Sequence, residues 1–230
     1  MMIKALVFDA YGTLYDTQSV RAKAEELCPG NGELIAQLWR SKQLEYSWLR
    51  ALMQEYADFW DVTRDALDYA LKSAGVEPSE AVRAPLMDNY LRLDPHPEAR
   101  EALAALAGRR LAILSNGSPG MLEALVRNSG LERCFEAVIS VDAARTYKPH
   151  PSCYALVGQA LGVARDEVLF ISSNGFDVSG AKAFGFNVAW IRRGGAGAAT
   201  LYSMLRGRAE ELGHAADQIV SSLTDLPKLL

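Results

Sequence analysis

Ile3-Lys4-Ala5-Leu6-Val7-Phe8-Asp9-Ala10-Tyr11-Gly12-Thr13-Leu14 decides how the chain is read. An apolar run of strand length ends in a carboxylate and then turns at a glycine. In an open parallel sheet, ligands bind beyond the carboxyl ends of the strands. Asp9 therefore sits where such a sheet does its chemistry. A free carboxylate there can attack an electrophile and form a covalent intermediate. Tyr11, not a second acid, stands two residues later, and that difference bears on the reaction class.

Beyond Leu14 the texture turns helical. Glu33 to Tyr56 holds no Gly or Pro, and Leu34, Leu38, Leu44, Trp48 and Leu52 fall at helical spacing after an Asn31-Gly32 start signal. Asp65 to Ser73 reads as a second helix closed by Gly75, and Glu80 to Leu91 as a third that Pro85 shortens or kinks. Asp94-Pro95-His96-Pro97 breaks the pattern and reads as a hinge. Short apolar strands then alternate with helices. The strands are Leu111-Ala112-Ile113-Leu114, Ala137-Val138-Ile139, Val168-Leu169-Phe170-Ile171, Asn187-Val188-Ala189-Trp190 and a weaker Ile219-Val220. Between them, Ser118-Pro119 opens one helix, Pro151 to Leu161 forms another ended by Gly162, and a further helix precedes Asn187, while Leu223 to Leu230 closes the chain. This alternation predicts an α/β fold with a doubly wound parallel sheet. Residues 1–15 and 96–230 are expected to form the sheet domain, with 16–95 inserted as a helical cap over its active end. Gly194 to Gly197 reads as a flexible loop.

The totals fit this reading. At 230 residues the chain admits one large domain or two modest ones. Half the residues are hydrophobic (50%) and 23% are charged, an ordinary globular balance. A net charge of −4 and no basic patch beyond Arg192-Arg193 speak against nucleic-acid binding. Cys28, Cys134 and Cys153 are widely spaced with no CxxC, so neither a metal knot nor a disulfide framework is expected. Reduced thiols and the lack of a signal-peptide pattern predict a cytoplasmic protein. No run of ~18 apolar residues predicts a membrane span. His96, His150 and His214 show no metal-ligand spacing, and no Ser-His-Asp arrangement is apparent.

Four strand ends carry polar clusters: Asp9 with Thr13, Ser115-Asn116-Gly117, Lys148-Pro149, and Ser172-Ser173-Asn174-Gly175-Phe176-Asp177. Converging on one rim of a sheet, they predict a site. These pieces resemble the haloacid dehalogenase superfamily, end to end. Asp-Ala-Tyr-Gly-Thr-Leu-Tyr-Asp, Ser-Asn-Gly, Lys-Pro and Ser-Ser-Asn-Gly-Phe-Asp resemble the (S)-2-haloacid dehalogenase family within it. Most of that superfamily are magnesium-dependent phosphatases with Asp-x-Asp on the first strand, the second acid protonating an alkoxide. Tyr11 stands there instead, and a phenol of pKa near ~10 is a poor acid at neutral pH. A halide needs no proton, only a cradle of cations and donors. Phosphatases also resemble Gly-Asp-x-x-x-Asp in the last cluster, where Ser172-Ser173 stands here and only Asp177 remains. Mg²⁺ favours carboxylate oxygens, so no metal and no cofactor are expected.

The resemblance implies a role for each residue. Asp9 is the nucleophile toward C2 of a 2-haloalkanoic acid, inverting the carbon, and water then hydrolyses the ester at the Asp9 carbonyl. Turn capping is the plain alternative for both Asp9 and Thr13, which otherwise orients Asp9. Lys148 ion-pairs with Asp9. Ser115, with main-chain N–H groups after Pro119, binds the substrate carboxylate, though a serine at a helix start is also ordinary. Asn116 points an amide at the halide. Asp177 directs the hydrolytic water, with Ser172 and Asn174 around it, or is simply a helix N-terminal charge. Tyr154 also matches a family position near the site. Composition alone puts Arg40 on a solvated helix face, whereas the resemblance sends it down to the halide. Ala10 and Tyr11 would touch substrate. Leu44, Phe59 and Phe176 would wall the C2 substituent, although Leu44 and Phe59 read equally well as core. Phe176 stands where relatives often carry Trp, and Ser41 where they carry Gln. Ser173 reads as structural. A homodimer through the cap is expected from the resemblance and from Trp39, Trp48 and Trp60. The rivals are a magnesium phosphatase, a phospho-receiver domain and a non-catalytic interaction protein. The first lacks its second acid, the receiver needs its Asp on a later strand, and the last does not explain a full set of site residues.

Overall fold

The computed structural model describes residues 2–193 and 212–230, so Gly194 to Gly197 lies outside the described residues. The opening apolar run forms β1 (Ala5–Phe8), buried along its whole length. Burial on both faces explains why it reads as continuous rather than alternating apolar. β1 pairs in parallel with β2 (Arg110–Ser115) on one side and β4 (Val168–Ser172) on the other, with Phe8 opposite Ile113 and Ile171. β3 (Ala137–Ser140), β5 (Asn187–Ile191) and β6 (Gln218–Val220) complete a parallel sheet of order β3-β2-β1-β4-β5-β6. The chain winds outward from β1 through β2 and β3, then returns past β1 to β4. That reversal leaves a crevice at the carboxyl ends of β1, β2 and β4, the place where doubly wound sheets bind ligands. Asp9, Asn116 and Ser173 each follow directly on one of these strands.

The inserted helices are α1 (Val20–Leu27), α2 (Gly32–Met53), α3 (Phe59–Ser73) and α4 (Glu80–Tyr90). α2 stops short of the predicted Tyr56 because Gln54 turns left-handed at φ 60°. α3 begins earlier than Asp65 because the Asp58 carboxylate caps Trp60 N–H at 2.6 Å. Pro85 lies inside α4 without ending it. α1 turns only Val20 and Ala24 fully inward, too sparse an apolar stripe to stand out in sequence. α5 (Ala99–Ala105), α6 (Pro119–Asn128), α7 (Pro151–Leu161) and α8 (Gly175–Phe184) cover the sheet.

The two crossings between sheet and insertion run side by side. Asp16 N–H donates to Asp94 O at 2.8 Å, His96 N–H donates to Leu14 O at 2.8 Å, and Tyr15 bridges Pro95. One continuous apolar cluster runs from β1 through Tyr11 into Trp39, Phe59 and Leu71 of the insertion. Sheet and insertion therefore share a core at the crevice. Trp39, which the sequence offered as interface, belongs to that core: it is buried and donates to Thr63 O at 2.8 Å.

Candidate active site

Gly12 takes a left-handed φ of 88°, which folds the chain back so that Thr13 returns beneath Asp9. Thr13 Oγ1 and Asn174 Nδ2 each donate to Asp9 Oδ2 at 2.8 Å, and Lys148 Nζ donates to Oδ1 at 2.8 Å. The carboxylate is thus held at both oxygens by groups from three separate segments. Asn174 also donates to Tyr11 O at 3.0 Å.

Lys148 uses all its protons, reaching Asp9, Asp177 Oδ2 at 2.7 Å and Leu114 O at 3.0 Å. Burial alone would lower its pKa, but the two carboxylates outweigh that and raise it above the ordinary amine value. Asp177, in the first turn of α8, is fully buried and also accepts from Ser172 Oγ at 3.1 Å and Tyr154 Oη at 2.8 Å. Burial pushes its carboxyl up, Lys148 pulls it down, and Asp9 adds to the rise, for a net upward shift. Burial likewise keeps the Tyr154 phenol protonated.

Arg40 is not on a solvated face. It is buried, with one guanidinium nitrogen 3.3 Å from Tyr11 O and another 2.7 Å from Gln43 Oε1. Gln43 in turn donates to Thr63 Oγ1 at 2.7 Å and accepts from Tyr90 Oη at 2.8 Å. Sequence reasoning missed Gln43 and Tyr90. The i, i+3 spacing of Arg40 and Gln43 was the available signal for the first. Leu44, one turn on, joins Arg40 on the same face.

Asp9, Lys148, Asn174 and Asn116 on the sheet side face Arg40, Leu44 and Phe59 of the insertion, with Tyr11 and Phe176, around a cavity of about 10 Å³. Asn116 Oδ1 accepts Lys148 N–H at 3.0 Å, which leaves its amide nitrogen as the donating end. Tyr11 stacks obliquely on Phe59 and Tyr90, with ring centroids 5.9 and 5.5 Å away. Its hydroxyl is buried with no hydrogen-bond partner among the described residues, and burial raises its pKa well above the phenol norm. Ala10 and Ser115 are buried, each next in sequence to a lining residue, Tyr11 and Asn116. The Ala10 carbonyl closes the turn by accepting Thr13 N–H at 3.2 Å, and Ser115 Oγ accepts Gly117 N–H at 3.2 Å. Leu44 and Phe176 also border an apolar groove of about 810 Å³, where Phe176 meets Trp48 edge-on at 5.1 Å.

Ser173, read as structural, touches the site through Thr13: its N–H donates to Thr13 Oγ1 at 2.9 Å and its hydroxyl to Gly12 O at 2.6 Å. Thr13 Oγ1 thus accepts from Ser173 N–H while it donates to Asp9 Oδ2. The donor set does not suit a magnesium ion. An ammonium already bridges Asp9 and Asp177, and among the described residues no group of three or more His, Cys, Asp or Glu could hold a metal.

A family profile described as haloacid dehalogenase-like hydrolase matches residues 3–185. The chain is 55% identical to an (S)-2-haloacid dehalogenase of Xanthobacter autotrophicus, over 100% of this chain and 95% of the relative. It is 43% identical to an (S)-2-haloacid dehalogenase of Pseudomonas sp. (strain YL), over 99% and 94%. The solved L-2-haloacid dehalogenase of X. autotrophicus superposes with a TM-score of 0.93 at 56% identity, covering 99% of this chain and 98% of that one. A structure of that enzyme with chloropropionic acid covalently bound superposes at 0.92 with 55% identity, over 99% and 98%.

Proposed function

The chain belongs to the haloacid dehalogenase-like hydrolases, and from that membership we propose the residues by which it works. It is a hydrolase of carbon–halide bonds that dehalogenates (S)-2-haloacids through a covalent intermediate. In our assignment Asp9 is the nucleophile. One carboxylate oxygen attacks C2 opposite the halogen; the C–O bond forms as the C–halogen bond breaks, and halide leaves with the electron pair. C2 inverts. Water then adds to the Asp9 carbonyl carbon while Asp177 takes one of its protons. The bond from that carbon to the substrate-bound oxygen breaks, the (R)-2-hydroxyacid leaves with that oxygen and takes up the proton from Asp177, and Asp9 is left as a carboxylate carrying water's oxygen.

The observation that carries this reading is the pair of carboxylates tied to one ammonium, Lys148 Nζ lying 2.8 Å from Asp9 and 2.7 Å from Asp177. It supplies a fixed nucleophile and a neighbouring base without a metal. Arg40 and the Asn116 amide would cradle the halide, Ser115 and nearby N–H groups the substrate carboxylate, and Leu44, Phe59 and Phe176 the alkyl substituent. Tyr11, with Ala10 behind it, would border the substrate. A phosphatase reading needs a proton donor at Tyr11, whose buried phenol is poorly suited to give one. The test is halide release from (S)- and (R)-2-chloropropionate with EDTA present, beside an Asp9→Asn control. Release from the (S) form alone, lost in the control, is expected. Magnesium-dependent hydrolysis of p-nitrophenyl phosphate without halide release would overturn the reading.

We assign residues 1–15 and 96–230 to the sheet domain and 16–95 to the cap. We also infer a homodimer through the cap, because Leu34, Leu49, Leu52 and Met53 of α2 remain exposed. Light scattering at the monomer mass of 25.1 kDa would refute it. The free thiols of Cys28, Cys134 and Cys153 favour the cytoplasm. No helix among the described residues is long and apolar enough to cross a membrane.

A further inference from the structure

We propose that Arg193 is a positioning residue for the nucleophile, locking the turn that carries Asp9 to the hinge between sheet and helical insertion. This rests on the assignment of Asp9 above. Arg193 lies just beyond β5, and its guanidinium makes three directed contacts. One terminal nitrogen donates to Gly12 O at 3.2 Å, the other to Thr13 O at 2.8 Å, and Nε to Glu98 Oε1 at 2.8 Å. The planar fork of arginine suits this pattern, since two carbonyls and a carboxylate fix it in one orientation.

The two carbonyls belong to the turn whose Thr13 hydroxyl holds Asp9 at 2.8 Å. Gly12 O receives two further donors, Ser173 Oγ at 2.6 Å and His96 Nε2 at 3.1 Å. A carbonyl only accepts, so His96 carries its proton on Nε2. The back of the nucleophile turn is therefore held from β4's end, from β5's end and from the hinge. His96 lies within the hinge, and Glu98 follows it by two residues. The hinge is itself paired to the first crossing through His96 N–H and Leu14 O at 2.8 Å.

This arrangement answers a mechanical need. The cavity of about 10 Å³ holds roughly one water, far less than a haloacid. Walls contributed by the insertion, Arg40 and Leu44 among them, must give way to admit substrate. Asp9 must not move with them, because back-side attack requires alignment that small displacements destroy. Arg193, with Glu98 and His96, ties the turn to the sheet side of the hinge and so separates the two motions.

The test uses the full-length enzyme carrying Arg193→Met, Arg193→Lys or Glu98→Gln, with (S)-2-chloropropionate. kcat and KM are measured separately, and the rate of enzyme alkylation is read by acid quench and mass spectrometry in a single turnover. Arg193→Met is expected to lower kcat by about 10- to 100-fold, with alkylation slowed equally and KM within roughly threefold of the parent. Arg193→Lys, which can still reach one carbonyl, should recover part of the loss. Glu98→Gln should show a smaller loss of the same kind. Parent-like kcat in a folded Arg193→Met enzyme, or a loss confined to KM, would overturn the proposal. Should Arg193→Met fail to fold, parent-like kcat in both Arg193→Lys and Glu98→Gln would overturn it instead. Absence of halide release by the parent enzyme would overturn the functional reading itself, a distinct outcome.

Discussion

Replacing Lys148 by methionine keeps most of the side-chain volume and removes the ammonium between Asp9 and Asp177. The Lys148 side chain is 2% exposed and contacts both carboxylates at under 3 Å (2.8 and 2.7 Å), so the loss is that of a desolvated pair rather than a surface one. Removing one partner of a buried ion pair typically costs about 3–5 kcal/mol, because the remaining charge is stranded. The pH dependence follows from the signs. In the parent, the Lys148 pKa is raised on folding, so its contribution is fully present below the unfolded amine value near ~10.4 and is lost as pH climbs through the folded value. In the variant, burial and Asp9 still push Asp177 up and nothing from Lys148 opposes them. A carboxyl raised on folding costs stability above its unfolded pKa, and protonation relieves that cost. The deficit of Lys148→Met relative to the parent should therefore be widest from neutral to mildly alkaline pH and shrink as pH falls toward 5. Urea unfolding at pH 5, 7 and 9 measures it. Adding Asp177→Asn to the Lys148→Met background should restore part of the loss, giving a coupling of at least about 1 kcal/mol. A deficit below about 1 kcal/mol at pH 7, or one that grows toward acid, would refute the buried-triad account.

Three further outcomes are expected. Asp177→Asn should release about one halide per site and then stall as alkylated enzyme visible by mass, with steady turnover down by ~10²–10⁴-fold; in the parent, the acid limb of kcat should lie above the ordinary aspartate range near ~3.9, because burial raises Asp177, and a limb at the ordinary value would contradict the assignment. Phe176→Ala should join the cavity of about 10 Å³ to the apolar groove of about 810 Å³, raising kcat/KM for 2-bromohexanoate relative to 2-chloropropionate; an unchanged ratio would show that Phe176 does not separate them. Tyr11→Phe removes a buried hydroxyl that has no partner among the described residues, so urea unfolding should show unchanged or increased stability and turnover should stay within a few-fold, whereas a large loss of turnover would mean the phenol handles a proton.

The sheet and its active edge were legible because their signals are local. A buried strand ending in Asp9, a glycine able to adopt φ 88° and the Pro–Gly punctuation around α7 each act within a few residues. The Asp9–Lys148–Asp177 group needed the resemblance to assemble, since 139 residues separate Asp9 from Lys148. The solvated-face reading of Arg40 failed because composition says nothing of which helix face is covered. α2 lies over the crevice, and Gln43, Thr63 and Tyr90 supply the buried partners that make an interior guanidinium tolerable. Ser173 was passed over because its effect on Asp9 runs through Thr13. Arg193 was weighed only as part of a charge pair, and nothing local shows that β5 delivers it to the back of the first turn.

Tyr11 and Lys148 together explain how this sheet edge is suited to expelling a halide. An alkoxide leaving group demands a proton, and the residue two past the nucleophile is well placed to give one only if it is an acid of moderate pKa. Here that position carries a phenol whose ring packs on Phe59 and Tyr90 and whose hydroxyl meets no partner among the described residues, so it acts as wall. Halide is a weak base and leaves without a proton, provided that its developing charge meets fixed donors in a dry site. On the proposed assignment those donors are divided. Asn116 follows β2 and is tied to Lys148, whereas Arg40 comes from α2 of the insertion. The nucleophile is complete on the sheet alone, while the leaving-group cradle is complete only when the insertion lies over it. On that assignment carbon–halogen cleavage needs the insertion in place over the substrate, whereas Asp9 is oriented by Thr13, Lys148 and Asn174 of the sheet side alone.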